Sequence, residues 1–427
     1  MTIPIEKELS NQIRFCYLPV EKFKTLTIHA YLHQDLTSEF ASSTALLPAV
    51  LERGTQSYPN SLSLHREMEN LYDAELSTEV GKKGERHLIA FSLELVRPDY
   101  LSNQEFFRGG LKLLKSVLGE PLIEEGGFSP SYVEQEKNQL YKEIRGIIND
   151  KARYAMEQCI QEMCRGERYR VFKYGDEENL KKITSQQLYH YYLELIKNNP
   201  LDVYMVGPAN LNNPESFIEE VFDFPREPTG IAITPTEVYV KVNESPKFKE
   251  ESFPALHQAK LVMGYRTNLD YNHTLFYPQL FFNGILGGFP HSKLFKVIRE
   301  EFSLAYFVFS QLERHKGIML MVAGIDSAQY QRVMELMKEQ VAEIARGNIT
   351  DTEMENTRRG LLNQLRVQED NPGKLINFYL DAHVGGRKHT IEEAMDNLKR
   401  VDKEEVAQVA QKVVLDTIYL LRGEKGE

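Results

Sequence analysis

Two stretches of this chain are echoed about 219 positions further on. Val133–Gly146, VEQEKNQLYKEIRG, matches Glu353–Arg366, EMENTRRGLLNQLR. The segment ENLKKITSQQLYHYY, which begins at Glu178, matches DNLKRVDKEEVAQVA, which begins at Asp396. Two matches at one offset mark an internal duplication, and that limits the fold. The chain therefore reads as two similar units of strands and flanking helices. A half-chain of roughly 200 residues is a comfortable size for one domain.

The first half reads as mixed strands and helices. Ile13–Pro19 (IRFCYLP) and Thr25–Leu32 (TLTIHAYL) are rich in β-branched and aromatic residues and read as strands. The charged VEKFK between them suggests a hairpin connection. Ser42–Leu51 is helical by periodicity, with a serine pair as candidate N-cap and an awkward internal Pro48. Ala74–Val80 and Arg86–Leu95 flank GKKGE and read as a hairpin. Leu62–Tyr72, Phe106–Leu118 and the long Ser131–Met163 region read as helix, and Leu201–Gly207 as strand. Phe222–Phe253 is rich in Pro, Glu and Lys and reads as a connector, with strand character in EVYVKV.

The second half repeats the order. His257–Tyr265, Met319–Gly324 and Thr417–Arg422 read as strands. Tyr271–Leu286, Asp326–Arg346, Thr350–Leu380 and Asp396–Val414 read as helices. The expected architecture is therefore α+β. Two similar domains, 1–222 and 254–427, are joined by a linker at 223–253. Each is a mainly antiparallel sheet flanked by helices.

Composition narrows the function. A net charge of -11 with mixed signs argues against nucleic acid and anionic membranes as partners. No apolar run approaches the ~18 residues of a membrane span. The N-terminal stretch carries early charges and lacks an apolar signal region. Cys16, Cys159 and Cys164 have no CxxC spacing, so neither a disulfide framework nor a cysteine-rich metal site is expected. A reducing, cytoplasmic setting fits this usage.

One stretch stands out for chemistry: Gly287–Tyr306, GGFPHSKLFKVIREEFSLAY. A Gly-Gly break precedes an amphipathic helix ending near Glu301, and a strand begins at Ser303. Arg299 falls in the last turn and Tyr306 in the strand entry. A guanidinium and a phenol held there could both donate to a carbonyl laid between them. The alternative is a helix-end Arg on last-turn carbonyls and a half-buried strand Tyr. GILGG, just upstream, is explained by helix termination rather than by a phosphate cradle. His65 with Glu67 and Glu69 lacks a third metal partner, and His383 and His389 flank a loop-like VGGRK.

Taken together, LSNQIRF, Ser43–Thr55 ending in Gly-Thr, the hairpin after it, VEQEKNQLYKEI and above all SKLFKVIREEFSLAY resemble the pitrilysin/insulinase-like (M16) zinc peptidases, in their short, single-pair-of-domains branch. The resemblance runs over nearly the whole chain. That family carries HxxEH on its first helix. Two His four apart share one face and bind zinc, and the Glu between them acts as general base on the metal-bound water. A later Glu completes the ligand set. Anchored on Gly54-Thr55, the corresponding positions here are Ala45, Leu46, Leu47, Pro48 and Ala49. Ala45, Pro48 and Ala49 cannot ligate or catalyse, and Thr44–Arg53 contains no His. The later Glu survives as Glu136, with Glu143 further along the helix, and each reads as a solvated or ion-paired residue.

The resemblance also implies a role for the retained stretch. In the family, Arg and Tyr at the positions of Arg299 and Tyr306 bind the substrate backbone beside the scissile bond. Some members divide the labour between a chain with HxxEH and a paired chain that keeps only the Arg and Tyr. The expectation is therefore a substrate-clamping subunit with no metal and no cofactor of its own. It would complete the site of a paired chain with intact HxxEH, which supplies zinc, and act on peptides or small unfolded proteins. A homodimer also remains open. The rivals are a self-sufficient metallopeptidase, against which Ala45, Pro48 and Ala49 speak directly, and a non-enzymatic scaffold in a peptide-maturation complex.

Overall fold

The computed structural model describes residues 3–10, 12–100, 105–223, 226–227, 233–254 and 256–424. Met1–Arg145, Val171–Pro235 and Asn371–Leu380 form one compact unit. Gly146–Arg170, Thr236–Asp370 and Asp381–Glu427 form the other. The fold is α+β, and both sheets are dominated by antiparallel pairs.

The first half contains, in order, β1 (Ile5–Glu8), β2 (Ile13–Pro19), β3 (Thr25–Asp35), α1 (Ala41–Leu51), α2 (Ser61–Asn70), β4 (Glu75–Lys83) and β5 (Arg86–Val96). Then come α3 (Glu105–Gly119), the short pair β6 (Ile123–Glu124) and β7 (Gly127–Phe128), α4 (Pro130–Gly146), α5 (Lys151–Met163), α6 (Glu177–Lys182), α7 (Ser185–Asn198), β8 (Leu201–Gly207) and α8 (Pro214–Val221). The six-stranded sheet runs β1-β2-β8-β3-β5-β4. Alternate residues Leu26, Ile28, Ala30 and Leu32 of β3 join Phe91 and Leu93 of β5 and the apolar faces of α1, α3 and α7 in one core.

The hairpin expected between the first two long strands does not form. β8 lies between them, parallel to β2 and antiparallel to β3. Its sequence, LDVYMVG, is buried at every position, as a central strand requires. The Ser42 hydroxyl does not cap α1 either; it bonds instead to the backbone of Asp176, accepting from its N–H (3.1 Å) and donating to its carbonyl (3.2 Å). The expected long helices are interrupted where capping residues intervene. Asp150 accepts from the N–H groups of Ala152 and Arg153 to start α5.

In the second unit, β9 (Lys247–Phe253), β10 (Ala259–Arg266) and α9 (Phe276–Asn283) are followed by a π-helical turn at Gly284–Gly288 and a second one at Phe295–Glu301. β11 (Ala305–Glu313), β12 (Ile318–Ile325), α10 (Tyr330–Ala345), α11 (Asp351–Glu369), α12 (Pro372–Val384), α13 (Ile391–Arg400), α14 (Lys403–Lys412) and β13 (Val414–Gly423) complete it. The five-stranded sheet runs β11-β12-β10-β13-β9. EVYVKV is not a strand: Val238 is buried against Gly317, and the backbone of Val240 bonds the side-chain amide of Asn268. The strand of this region is β9, parallel to β13.

α5 belongs to the second unit although it follows α4 in sequence. Its Ala155 and Cys159 pack on Val262, Leu320, Val322, Tyr419 and Leu421. A Cβ at Gly264 would sit 2.6 Å from Met163 Sδ and 3.3 Å from Cys159 Sγ, so a side chain there would push these α5 residues aside. Fully buried Arg266 then ties the segment down through Glu167 (2.5 and 2.9 Å), the Met163 carbonyl (3.0 Å) and Asp416 (3.0 Å), and Lys316 also reaches Glu167 (2.6 Å). Adding the duplication offset carries α5 onto roughly 370–382, which covers the Asn371–Leu380 stretch held by the first unit. The exchange is thus reciprocal. Among the described residues no helix is long and apolar enough to cross a membrane.

Candidate functional site

In the first unit, α1 carries Ala45, Leu46, Leu47, Pro48 and Ala49, as its sequence requires. Pro48 lies inside the helix and removes one backbone donor there. Ala45 is absorbed into the core, whereas Ala49 faces a cavity of about 430 Å³. Glu52, Arg53, His65, Thr78 and Glu136 also line that cavity.

Glu136 is only 7% exposed, so its carboxylate needs a cation. It has one in Arg53, whose Nε donates to Oε1 at 2.6 Å and whose Nη2 contacts the same oxygen. Glu136 is thus ion-paired rather than solvated. Glu143 is exposed on α4. Burial pushes the Glu52 carboxyl upward; hydrogen bonds to Thr78 oppose this, and the neighbouring charge of Glu136 adds to it. His65 spends Nδ1 on the Ser61 carbonyl (2.7 Å).

These residues do not fit zinc. Two alanines occupy the donor positions of the first helix, a proline stands at the general-base position, and the surviving carboxylate is held by a guanidinium. Among the described residues no group of three His, Cys, Asp or Glu could hold a metal. His389 meets the Tyr277 hydroxyl at 3.1 Å, and burial pushes it down to about 4.

In the second unit, the stretch carrying Arg299 and Tyr306 is irregular at three successive points. The helix after Leu294 winds as a π-turn, and Phe302 N–H donates to the Val297 carbonyl (3.0 Å). Ser303 is left-handed (φ 53°), which lets Leu304 N–H reach back to Ile298 O (2.9 Å) and closes the helix end. Then Ala305 pairs with Ile325 and Phe307 with Gly324, so Tyr306 is the extra residue of a β-bulge. Upstream, Gly287 lies so close to β11 that its Cβ would be 2.5 Å from Ser310 N.

The outcome is that Arg299 and Tyr306 both project outward. Tyr306 is 70% exposed. Arg299 lies over the Phe295 ring at 4.8 Å, and neither polar group has a hydrogen-bond partner among the described residues. The bland alternatives from sequence are therefore not met: Arg299 does not bind last-turn carbonyls, and Tyr306 is not half-buried. Phe302, 42% exposed under the Arg332 guanidinium at 5.4 Å, extends the same surface. Sequence reasoning passed over Phe302, Arg332, Arg53 and Thr78. Arg53, adjoining Gly54-Thr55, was the only one of them with a signal.

The chain is similar to known proteins over nearly its whole length. Residues 182–361 match the family model described as Peptidase M16 inactive domain. A Bacillus subtilis protein named probable inactive metalloprotease YmfF is 33% identical over 407 residues, 95% of each chain. A second protein from that organism, the uncharacterized zinc protease YmxG, is 24% identical over 69% of this chain and 70% of its own. Among solved structures, a conserved protein from Enterococcus faecalis V583 superposes with a TM-score of 0.92 at 26% identity, covering 99% of both chains. A peptidase M16 inactive domain from Pseudomonas fluorescens does so with a TM-score of 0.81 at 16% identity, over 100% of this chain and 99% of its own; at that identity it speaks for the fold alone.

Proposed function

This chain belongs to the M16 peptidase family and lacks the zinc-binding residues of its first helix; from that premise we propose that it is the substrate-clamping subunit of a two-chain zinc endopeptidase. The partner is an M16-like chain with intact HxxEH, which supplies zinc and water. The substrates are peptides or small unfolded proteins.

The observation that carries this reading is the exposure of Arg299 and Tyr306 without internal partners. A structural Arg or Tyr of the kind first considered would be tied to the protein's own carbonyls or buried in its core. Here a π-turn, a left-handed Ser303 and a bulge present both groups to solvent instead. A guanidinium and a phenol hydroxyl are both hydrogen-bond donors. A carbonyl oxygen lying between them gains two hydrogen bonds, one charge-assisted, and those bonds strengthen as negative charge develops on it. That YmfF and YmxG come from one organism supports the idea that inactive and zinc-bearing chains of this kind coexist.

The test is reconstitution. The chain is co-purified with an HxxEH-bearing relative, and peptide turnover is measured for the pair and for each chain alone. Arg299→Ala is expected to lower turnover by about 10²-fold, the scale of losing one oxyanion donor, with Tyr306→Phe lowering it less. Unchanged turnover in an intact complex would leave only a scaffold role. Stoichiometric zinc and peptidase activity in this chain alone would point to self-sufficiency.

A further inference from the structure

The two sheets are built on one plan, and the second lacks a strand. In the first unit, β2 runs parallel to β8 over Ile13–Pro19 and Leu201–Gly207. In the second, β9 runs parallel to β13 over Lys247–Phe253 and Thr417–Gly423. Both ladders are seven residues long and end on a glycine, Gly207 and Gly423. β9 is therefore the counterpart of β2. The outer edge of β2 is covered by β1, antiparallel, with Glu8 opposite Arg14 and Ile5 opposite Tyr17. The outer edge of β9 has no strand partner among the described residues.

The reason is local. Counting back from β9 as β1 precedes β2 gives Tyr239–Val242, the β-prone part of EVYVKV. That segment is committed elsewhere: Tyr239 to Asp270 (3.1 Å) and Val240 to Asn268. The slot its counterpart fills in the first unit stays open. β9 does not look like a protected edge near its start. Phe248 is 51% exposed there, whereas Lys247 and Lys249 are half-buried and turned to the α5 segment, toward the carbonyls of Glu162 and Met163 and the Glu162 carboxylate.

We propose that the outer edge of β9 is a strand-addition site for an extended segment of a partner polypeptide. That segment runs antiparallel to β9, with an apolar residue opposite Phe248 and a basic residue opposite Glu250, whose carboxylate it shares with Arg422 of β13. The register follows from β1, which covers the positions equivalent to Phe248–Glu251. Main-chain bonds to the open edge supply affinity, and the cross-strand pairs supply selectivity. The chain's net charge of -11 also favours a basic segment over an acidic one. This proposal does not rest on the role of Arg299 and Tyr306.

The experiment uses the full chain and a synthetic eight-residue peptide with alternating apolar and lysine residues, followed by fluorescence anisotropy and by hydrogen exchange at β9. Saturable binding with new protection of Lys247–Phe253 is expected. Phe248→Glu should weaken it by about tenfold or more, the scale of an aromatic anchor together with a cross-strand pair. Alternate N-methylation of the peptide should abolish binding. A glutamate-for-lysine peptide should bind only Glu250→Lys. Binding indifferent to both Phe248→Glu and N-methylation, or no binding, overturns the proposal. So does strong protection of the β9 edge in the free monomer, which would assign the slot to the chain's own 239–242 segment. Concentration-dependent dimerisation abolished by Phe248→Glu would assign it to a second copy instead.

Discussion

Breaking the Arg53–Glu136 pair should cost more from one side than from the other. Glu136 is 7% exposed, whereas the Arg53 side chain is 38% exposed. Replacing Arg53 by Met leaves a largely buried carboxylate without its cation. A fully buried pair broken this way loses about 3–5 kcal/mol, and the open side of the cavity lets solvent in, so roughly 2 kcal/mol is expected. Replacing Glu136 by Gln strands a guanidinium that can turn outward, at about 1 kcal/mol. The double variant should recover part of the sum, because each single change leaves a charge the other removes. The chain has no tryptophan, so urea unfolding is followed by circular dichroism. The same samples with zinc or a chelator should show an unchanged midpoint, since the guanidinium holds the carboxylate. Equal costs for the two single variants, additive costs in the double variant, or a midpoint that moves with zinc would refute the reasoning.

Three further outcomes are expected. Burial raises the Glu52 carboxyl, so its charged form disfavours folding above the ordinary carboxylate range; Glu52→Gln should raise the unfolding midpoint at pH 7 and raise it less at pH 4. Burial pushes His29 and His87 down to about 4, so the unfolded chain binds more protons between the ordinary value near 6.5 and that pH. Stability should therefore fall as pH drops through this window, by up to roughly 3 kcal/mol per residue at about 1.4 kcal/mol per pH unit, and His29→Phe should flatten the profile measured by denaturant titration. Arg266→Met leaves Asp416 without its buried guanidinium and Glu167 with Lys316 alone, and should destabilise the second unit by about 3 kcal/mol in the same assay; a loss below about 1 kcal/mol would mean the network adds little.

Much of the fold was legible because its signals are local. The β4–β5 hairpin follows from alternation around GKKGE, and the α+β class from two periods read along the chain. The placement of β8 between β2 and β3 was not legible, because a charged five-residue connector suits a hairpin whether or not a later strand intervenes. The break at Asp150 had a signal, an Asp ahead of an apolar-periodic run, that the surrounding helical pattern hid. In the candidate site, the loss of the zinc ligands at Ala45 and Ala49 and of the general base at Pro48 is visible in residue types alone. The outward turn of Arg299 and Tyr306 is not. It depends on a π-turn and a one-residue bulge, and neither changes the periodicity enough to be read.

The reciprocal exchange of α5 and Asn371–Leu380 also constrains history and engineering. A lone ancestral half, before duplication, would have had its α5 counterpart seated on a second copy, so the precursor of this chain is best pictured as a helix-swapped homodimer whose two subunits were later fused. Cutting the chain at the connector would yield fragments that each carry the other's helix, and they should fold only when mixed.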